Sequence, residues 1–315
     1  MSLAIDIQGL SRSFGVVTAV SGLSVGIAKG ELFGLVGPDG AGKTTTLRML
    51  AGILTPSGGD ALVAGCSIRR EPERLKDRIA YMSQRFGLYG DLTVLENLDF
   101  YADVFEVPGP ERAVRVRRLL EFSGLGPFGH RLADKLSGGM RQKLGLACAL
   151  VHQPEILLLD EPTSGVDPVS RRDFWRILYE MLKQGVTILM TTAYLDEAER
   201  CGRVGLMYKG RLMAVDPPAQ VKTLLRGQLV EIGVTDAWRA RELLKGLRQA
   251  PEVTVFGQHL HVGLADATRD LPGVLRALEG AGLAPRDARR IVPSLEDVFI
   301  SAVAAEERRE PTSAA

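Results

Sequence analysis

The sequence predicts an α/β fold followed by a smaller α+β module, and three observations carry that expectation. The apolar run Leu32 to Val36 leads into GPDGAGKTTT at Gly37 to Thr46 and then into the helix-favouring stretch Lys43 to Ala51, so a short buried strand, a glycine-rich turn and a helix follow one another. Ile156 to Leu159 is a continuous apolar run closed by Asp160 and Glu161, and Val186 to Thr192 repeats the pattern, which suits parallel strands covered on both faces. Beyond residue 226 the periodicity restarts as strand, helix, two strands, helix and strand, a recognised supersecondary order.

Bulk properties bound the function. A chain of 315 residues suits one large or two modest domains. A net charge of +1 gives no electrostatic case for a nucleic-acid partner. The three cysteines, Cys66, Cys148 and Cys201, lack metal or redox spacing and read as small buried residues in a reducing compartment. The N-terminal MSLAIDIQGL has no secretory pattern, and no apolar run reaches the roughly 20 residues that a membrane-spanning helix needs. Work at a membrane would therefore need a partner to supply the span.

In chain order, Leu3, Ile5 and Ile7 alternate with polar residues, and Val17 to Ile27 is β-prone, so an antiparallel strand pair is expected. Thr55 to Gly59 is a turn cluster before a strand at Asp60 to Ala64; Glu71 to Arg78 reads as a charged surface helix, and Ile79 to Ser83 as a buried strand ending at Gln84. Thr93 and Glu96 make a capping box for a helix with a stripe from Val94 to Phe105, and a second helix runs from Glu111 to Ser123. Its arginines, Arg112, Arg115, Arg117 and Arg118, read as a solvated face. Ser137 caps a helix that begins with Gly138 and Gly139 and runs to Val151, so residues of about 85–150 form a helical insertion between strands. Leu206 to Lys209 and Arg211 to Ala214 form a hairpin around Gly210.

The chemistry concentrates in the glycine-rich turn. Gly37, Gly42, Lys43 and Thr44 satisfy G-x-x-x-x-G-K-[ST], in which backbone N–H groups surround phosphate oxygens, the lysine reaches the outer phosphates and the hydroxyl can ligate Mg²⁺. The intervening Pro38, Asp39, Gly40 and Ala41 and the following Thr45 belong to the same anion site on a helix N-terminus. Asp160 and Glu161 stand at a strand C-terminus, where ligands of open α/β sheets gather.

Taken in order, these residues resemble the nucleotide-binding subunits of ATP-binding cassette transporters, over residues 1–225. Gln84 matches the glutamine loop; LSGGMRQ at Leu136 to Gln142 matches the family signature; Ile156 to Asp160 matches the Walker B strand. Glu161 falls at the catalytic glutamate, Ser164 to Asp167 at the loop ending in aspartate, and Phe14 at the adenine-stacking aromatic. The resemblance implies ATP and Mg²⁺ as ligands, with Lys43 on the β- and γ-phosphates, Thr44 and Gln84 on the metal, Asp160 reaching it through water, and Glu161 polarising the attacking water. It implies a second cassette chain paired head to tail, homo- or heteromeric, whose Ser137, Gly138 and Gly139 close over ATP held by the first. It also implies membrane-spanning permease subunits as partners and a peripheral position on the cytoplasmic face of the membrane. The segment around Gln84 and Tyr89 to Asn97 would lie nearest those subunits.

Two departures stand out. The family string T-H-x-x-D-E-A reads Thr192-Ala193-Tyr194-Leu195-Asp196-Glu197-Ala198, so the switch histidine is Ala193, and Asp39 replaces a more usual asparagine. A hydroxyl from Thr192 or Tyr194 would be a compensation for the histidine. Ala193 also motivates an alternative, a cassette that binds ATP and dimerises but turns over poorly.

Residues 226–303 are expected to form a ferredoxin-like module: strand Leu229 to Val234, helix Ala237 to Ala250, strands Val253 to Phe256 and Leu260 to Leu264, helix Leu271 to Gly282 and a strand near Arg289 to Val292. His259 and His261 share a strand face without a third ligand, and read as packing rather than metal-binding residues. Ser294 and Asp297 cap a final helix start, and the ending Pro293 to Phe299 resembles ABC-2 export cassettes of the daunorubicin-resistance group. Residues 304–315 are expected to be a disordered tail.

Overall fold

The computed structural model describes residues 2–84, 86–225, 227–247 and 252–309. They fall into two compact units, Met1–Val215 and Asp216–Ala315. The dividing point lies ahead of the expected boundary at 225/226, because the short helix Pro218–Val221 packs against the last helix of the chain.

The first unit opens with β1 (Leu3–Phe14) and β2 (Val17–Ala28), an antiparallel pair with register shifts that bend it. β3 (Leu32–Val36) is buried at every residue, as a continuous apolar run requires when both faces are covered. It feeds α1 (Lys43–Leu50) through the glycine-rich turn. β4 (Gly58–Val63) and β5 (Cys66–Ser67) complete a four-stranded sheet in the order β2-β1-β4-β5. The stretch Glu71 to Arg78 forms only the 3₁₀ turn Pro72–Leu75 rather than a helix. Leu75 is fully buried within that turn.

β6 (Ile79–Met82) ends just before Gln84. The insertion then supplies α2 (Val94–Val104), α3 (Gly109–Ser123) and α4 (Gly138–Leu150), and the Thr93–Glu96 capping box forms in both directions. β7 (Ile156–Asp160), α5 (Pro168–Lys183), β8 (Thr187–Thr192), α6 (Leu195–Ala198), β9 (Arg203–Tyr208) and β10 (Arg211–Asp216) follow. The six-stranded sheet runs β10-β9-β3-β8-β7-β6, with β9, β3, β8, β7 and β6 parallel. Leu47, Met49 and Leu50 of α1 join Phe33, Leu158 and Leu189 of this sheet and Ile5, Ile7 and Leu23 of the other in one core. Burying a leucine fully contributes about 1.5–3 kcal/mol, so α1 is fixed on both sides and the turn before it is held rigidly.

The second unit contains α7 (Pro218–Val221), β11 (Gln228–Gly233), α8 (Ala237–Leu244), β12 (Glu252–Phe256), β13 (His259–Leu264), α9 (Ala267–Gly280), β14 (Arg286–Ile291) and α10 (Leu295–Arg309). Its antiparallel sheet has the order β12-β13-β11-β14. Val230, Ile232, Leu260 and Val262 pack with Ala240 and Leu244 of α8 and Val274 and Leu278 of α9. α8 ends at Leu244, short of the expected Ala250, and 248–250 lie outside the described residues. α9 begins at Ala267 rather than Leu271 because Asp266 caps it, accepting from the Thr268 and Arg269 N–H groups. The expected tail is helical as far as Arg309, since Ala302, Ala304, Ala305, Glu306 and Glu307 are strong helix formers; 310–315 lie outside the described residues. His261 is held by Asp297, with Nδ1 at 2.6 Å from Oδ1, and stacks on Phe256. Among the described residues no group of three metal-ligating side chains occurs, and no helix is long and apolar enough to cross a membrane.

Candidate nucleotide site

The site forms where the C-terminal ends of β3, β7 and β8 meet the start of α1. Glycine is required at two points of the turn. A Cβ on Gly37 would fall 2.2 Å from the Met207 carbonyl oxygen, and one on Gly42, at φ 102°, would fall 2.3 Å from that of Ala19. Lys43, only 4% exposed, donates through Nζ to the carbonyls of Gly37 (2.8 Å) and Pro38 (3.0 Å) and lies 3.0 Å from Glu161 Oε1.

Asp160 is buried at the end of β7, and one of its oxygens, Oδ1, accepts from both Thr44 Oγ1 and Thr191 Oγ1 at 2.9 Å. The Tyr81 hydroxyl lies 3.4 Å from the other oxygen, and burial together with the Asp160 charge pushes the Tyr81 pKa up. Glu161 leaves the strand in the left-handed region, φ 46°, which aims its carboxylate back at the turn; its N–H donates to Thr191 Oγ1 at 3.0 Å. Gln84 Nε2 donates to Glu161 Oε2 at 3.3 Å. A cavity of about 410 Å³ is lined by Asp39, Gly40, Ala41, Gly42, Lys43, Thr44 and Thr45 with Ala19, Gln84 and Glu161. The glycine-rich turn thus forms one wall, Gln84 and Glu161 face it, and Asp160 stands behind Thr44.

The other anticipated residues do not line this cavity. Phe14 stands exposed at the end of β1, with the Arg12 guanidinium 4.6 Å from its ring centroid. Ser137 caps α4, accepting from the Met140 N–H, and Gly138 is exposed beside it. Gly139 is buried against α5, where a Cβ would fall 2.2 Å from Ser170. Asp167 caps α5 by accepting from Val169 and Ser170 N–H groups, and the Ser170 N–H first of all holds its carboxyl below the usual range. The signature segment and this aspartate therefore form a second cluster on the outer end of α4 and α5, carrying acceptors and a helix start but no phosphate turn.

Ala193 is exposed. Thr192 is buried and its hydroxyl donates to Glu197 Oε2 at 3.0 Å, so it is already committed; Tyr194 lies beneath the Arg171 guanidinium. Sequence reasoning overlooked Thr191, Tyr81 and Glu197. The two threonines that close a strand buried on both faces were a readable signal, since hydroxyls in such a place need partners.

The ABC transporter family profile matches residues 20–164. Against the probable multidrug ABC transporter ATP-binding protein YbhF of Escherichia coli the chain is 43% identical over 302 residues, covering 94% of itself and 51% of that protein. The chain thus spans about half the length of this relative. It is 38% identical to a Nod factor export ATP-binding protein of Paraburkholderia xenovorans, covering 94% of itself and 96% of the relative. With the daunorubicin/doxorubicin resistance ATP-binding protein of Streptomyces peucetius it shares 33% identity over 95% of this chain and 92% of that one. Among solved structures, cbiO1 of Clostridium perfringens, part of an ABC transporter complex, superposes with a TM-score of 0.65 at 26% identity, over 78% of this chain and 96% of that one. From the phosphate turn, the acid-tipped strand β7 and this shared sequence, the chain belongs to the ATP-binding proteins of the ABC transporter family.

Proposed function

We propose that the chain is the ATP-binding subunit of an ABC-2-type export system, which couples ATP binding and hydrolysis to transport through separate membrane-spanning subunits. The observation that carries the reading is the convergence of Lys43, Thr44, Gln84 and Glu161 on one cavity, with Asp160 bonded to Thr44 behind it. Each supplies what cleavage of a γ-phosphate needs: amides and an ammonium for the phosphates, hard oxygen donors for a divalent cation, and a carboxylate for water. Thr44 and Asp160, with oxygens 2.9 Å apart, fit Mg²⁺, and Gln84 offers a third oxygen. Bound there, the ion would neutralise charge on the β- and γ-phosphates. Lys43 would hold the outer phosphates, and Glu161 would accept a proton from the water it orients.

The second cluster, Ser137, Gly139 and Asp167, supports the head-to-tail pairing expected of the family, since it lies apart from the cavity of its own chain. Phe14 at the end of β1 supports the role of an adenine platform. Export-type relatives that match along nearly their full length support the transport class and a peripheral place on the cytoplasmic face of the membrane. The βαββαβ order and the sheet order β12-β13-β11-β14 support a ferredoxin-like class for the second unit.

The test is phosphate release by the chain assembled with its membrane subunits, including a mixture of Lys43→Ala and Ser137→Arg chains. Wild type should hydrolyse ATP, each variant alone should not, and the mixture should recover part of the rate because one site per mixed dimer is intact. A mixture as inactive as its components would exclude the shared site, and an inactive wild-type assembly would favour a cassette that only binds.

A further inference from the structure

Glu197 is wholly buried at the turn of α6, and its carboxylate joins three separate segments. Thr163 Oγ1 donates to Oε1 at 2.5 Å, Thr192 Oγ1 donates to Oε2 at 3.0 Å, and Arg171 Nε lies 3.5 Å from Oε1. Thr163 itself is 1% exposed and sits two residues after Glu161, in the loop whose turn is closed by Ser164 N–H donating to the Glu161 carbonyl. Thr192 ends β8, and its carbonyl accepts the N–H of Gly37, the first residue of the phosphate turn, at 3.4 Å. Arg171 belongs to the first turns of α5, which Asp167 caps.

A carboxylate without solvent is costly unless its oxygens are satisfied, and here the satisfying groups come from the loop after the water-polarising glutamate and from the strand end that touches the phosphate turn. Glu161 adopts a left-handed backbone, φ 46°, that only a well-determined surrounding would maintain. Within this loop the Glu197–Thr163 bond is the side-chain tether that reaches across from α6.

Building on the ATPase reading above, we infer that Glu197 is a positioning residue for hydrolysis: through Thr163 it fixes the loop that aims Glu161, and through Thr192 it ties that loop to the strand end behind the phosphate turn. It takes on greater weight here because Ala193, next to Thr192, carries only a methyl group and can donate no side-chain hydrogen bond to a phosphate.

The test compares Thr163→Val, Thr163→Ser and Glu197→Gln with wild type in the full assembly with its membrane subunits, measuring kcat, KM for ATP and thermal unfolding. Thr163→Val removes the hydroxyl at nearly constant shape; kcat should fall at least tenfold while KM changes less than threefold. Thr163→Ser, which keeps the hydroxyl, should restore at least a third of the rate. Glu197→Gln should lower kcat, and combining it with Thr163→Val should cost little beyond either alone. If Thr163→Val retains the wild-type kcat, or if kcat, KM and unfolding temperature decline together and serine rescues none of them, the inference fails while the ATPase reading stands. A wild-type assembly without turnover overturns both.

Discussion

Lys43 and Glu161 lie 3.0 Å apart across the mouth of the phosphate turn. They are an ion pair formed from the two groups that the proposed function assigns to the outer phosphates and to the attacking water. An incoming phosphate must draw the ammonium away from the carboxylate, so part of the binding energy is used to separate them. Glu161→Gln should therefore bind ATP at least as tightly as wild type while phosphate release falls by about 10² or more. Fluorescence titration with a nucleotide analogue, set beside phosphate release, checks both. Weaker ATP binding in Glu161→Gln would show that the pair does not compete with phosphate.

On the proposed ATPase reading, Ala193 stands where the resemblance places a donor to the γ-phosphate, and the neighbouring Thr192 hydroxyl is engaged elsewhere. Thr192 donates to Glu197 and Tyr194 lies under Arg171. A histidine at this exposed position meets no packing barrier. Ala193→His should raise kcat, by up to about 10² if its N–H reaches the transferring group, with little change in KM. An unchanged or reduced kcat would show that the assembly already supplies that contact from elsewhere.

The phosphate turn, the two acids of β7 and the apolar runs that form β3, β6, β7 and β8 were legible in the sequence because each rests on a local rule: glycine where a side chain would collide, apolar runs where both faces are covered, serine and threonine at helix starts. Thr191 and Glu197 were not legible, because their roles exist only when β7, β8 and α6 come side by side. In the sequence Glu197 is only one letter of the string Thr192 to Ala198, and its complete burial appears with the turn of α6. At Glu71 to Arg78 the expected helix is a 3₁₀ turn that buries Leu75, a burial that the charged composition of the stretch did not announce. Arg309, at the end of α10, marks the opposite error, where polar composition concealed strong helix formers.

Asp167 caps α5, and the Ser170 N–H keeps its carboxyl below the ordinary range. A carboxylate whose folded pKa is depressed stabilises the fold above its unfolded pKa, and that contribution is lost as pH falls through the folded value. Asp167→Ala should melt below wild type at neutral pH, and the gap should close as the pH drops from about 4 towards about 2. Thermal melts across that range provide the check. A gap that persists below about pH 2 would mean that the charge of Asp167 is not what holds the helix start.

Thr191 makes two bonds with one hydroxyl: it donates to Asp160 Oδ1 at 2.9 Å and accepts the Glu161 N–H at 3.0 Å. Valine at this fully buried position preserves shape while leaving one lone pair of a buried carboxylate and one backbone N–H without that partner. Such losses cost about 1–3 kcal/mol each, so Thr191→Val should unfold at lower denaturant concentration. Thr44 would remain the hydroxyl donor to Asp160 Oδ1, but the backbone turn that aims Glu161 would lose its anchor. The rate should consequently fall further than ATP affinity, and Thr191→Ser should recover both stability and rate. Chemical denaturation run beside kcat and KM separates the two effects, since a purely structural threonine would lower stability while leaving the kcat of the folded fraction intact.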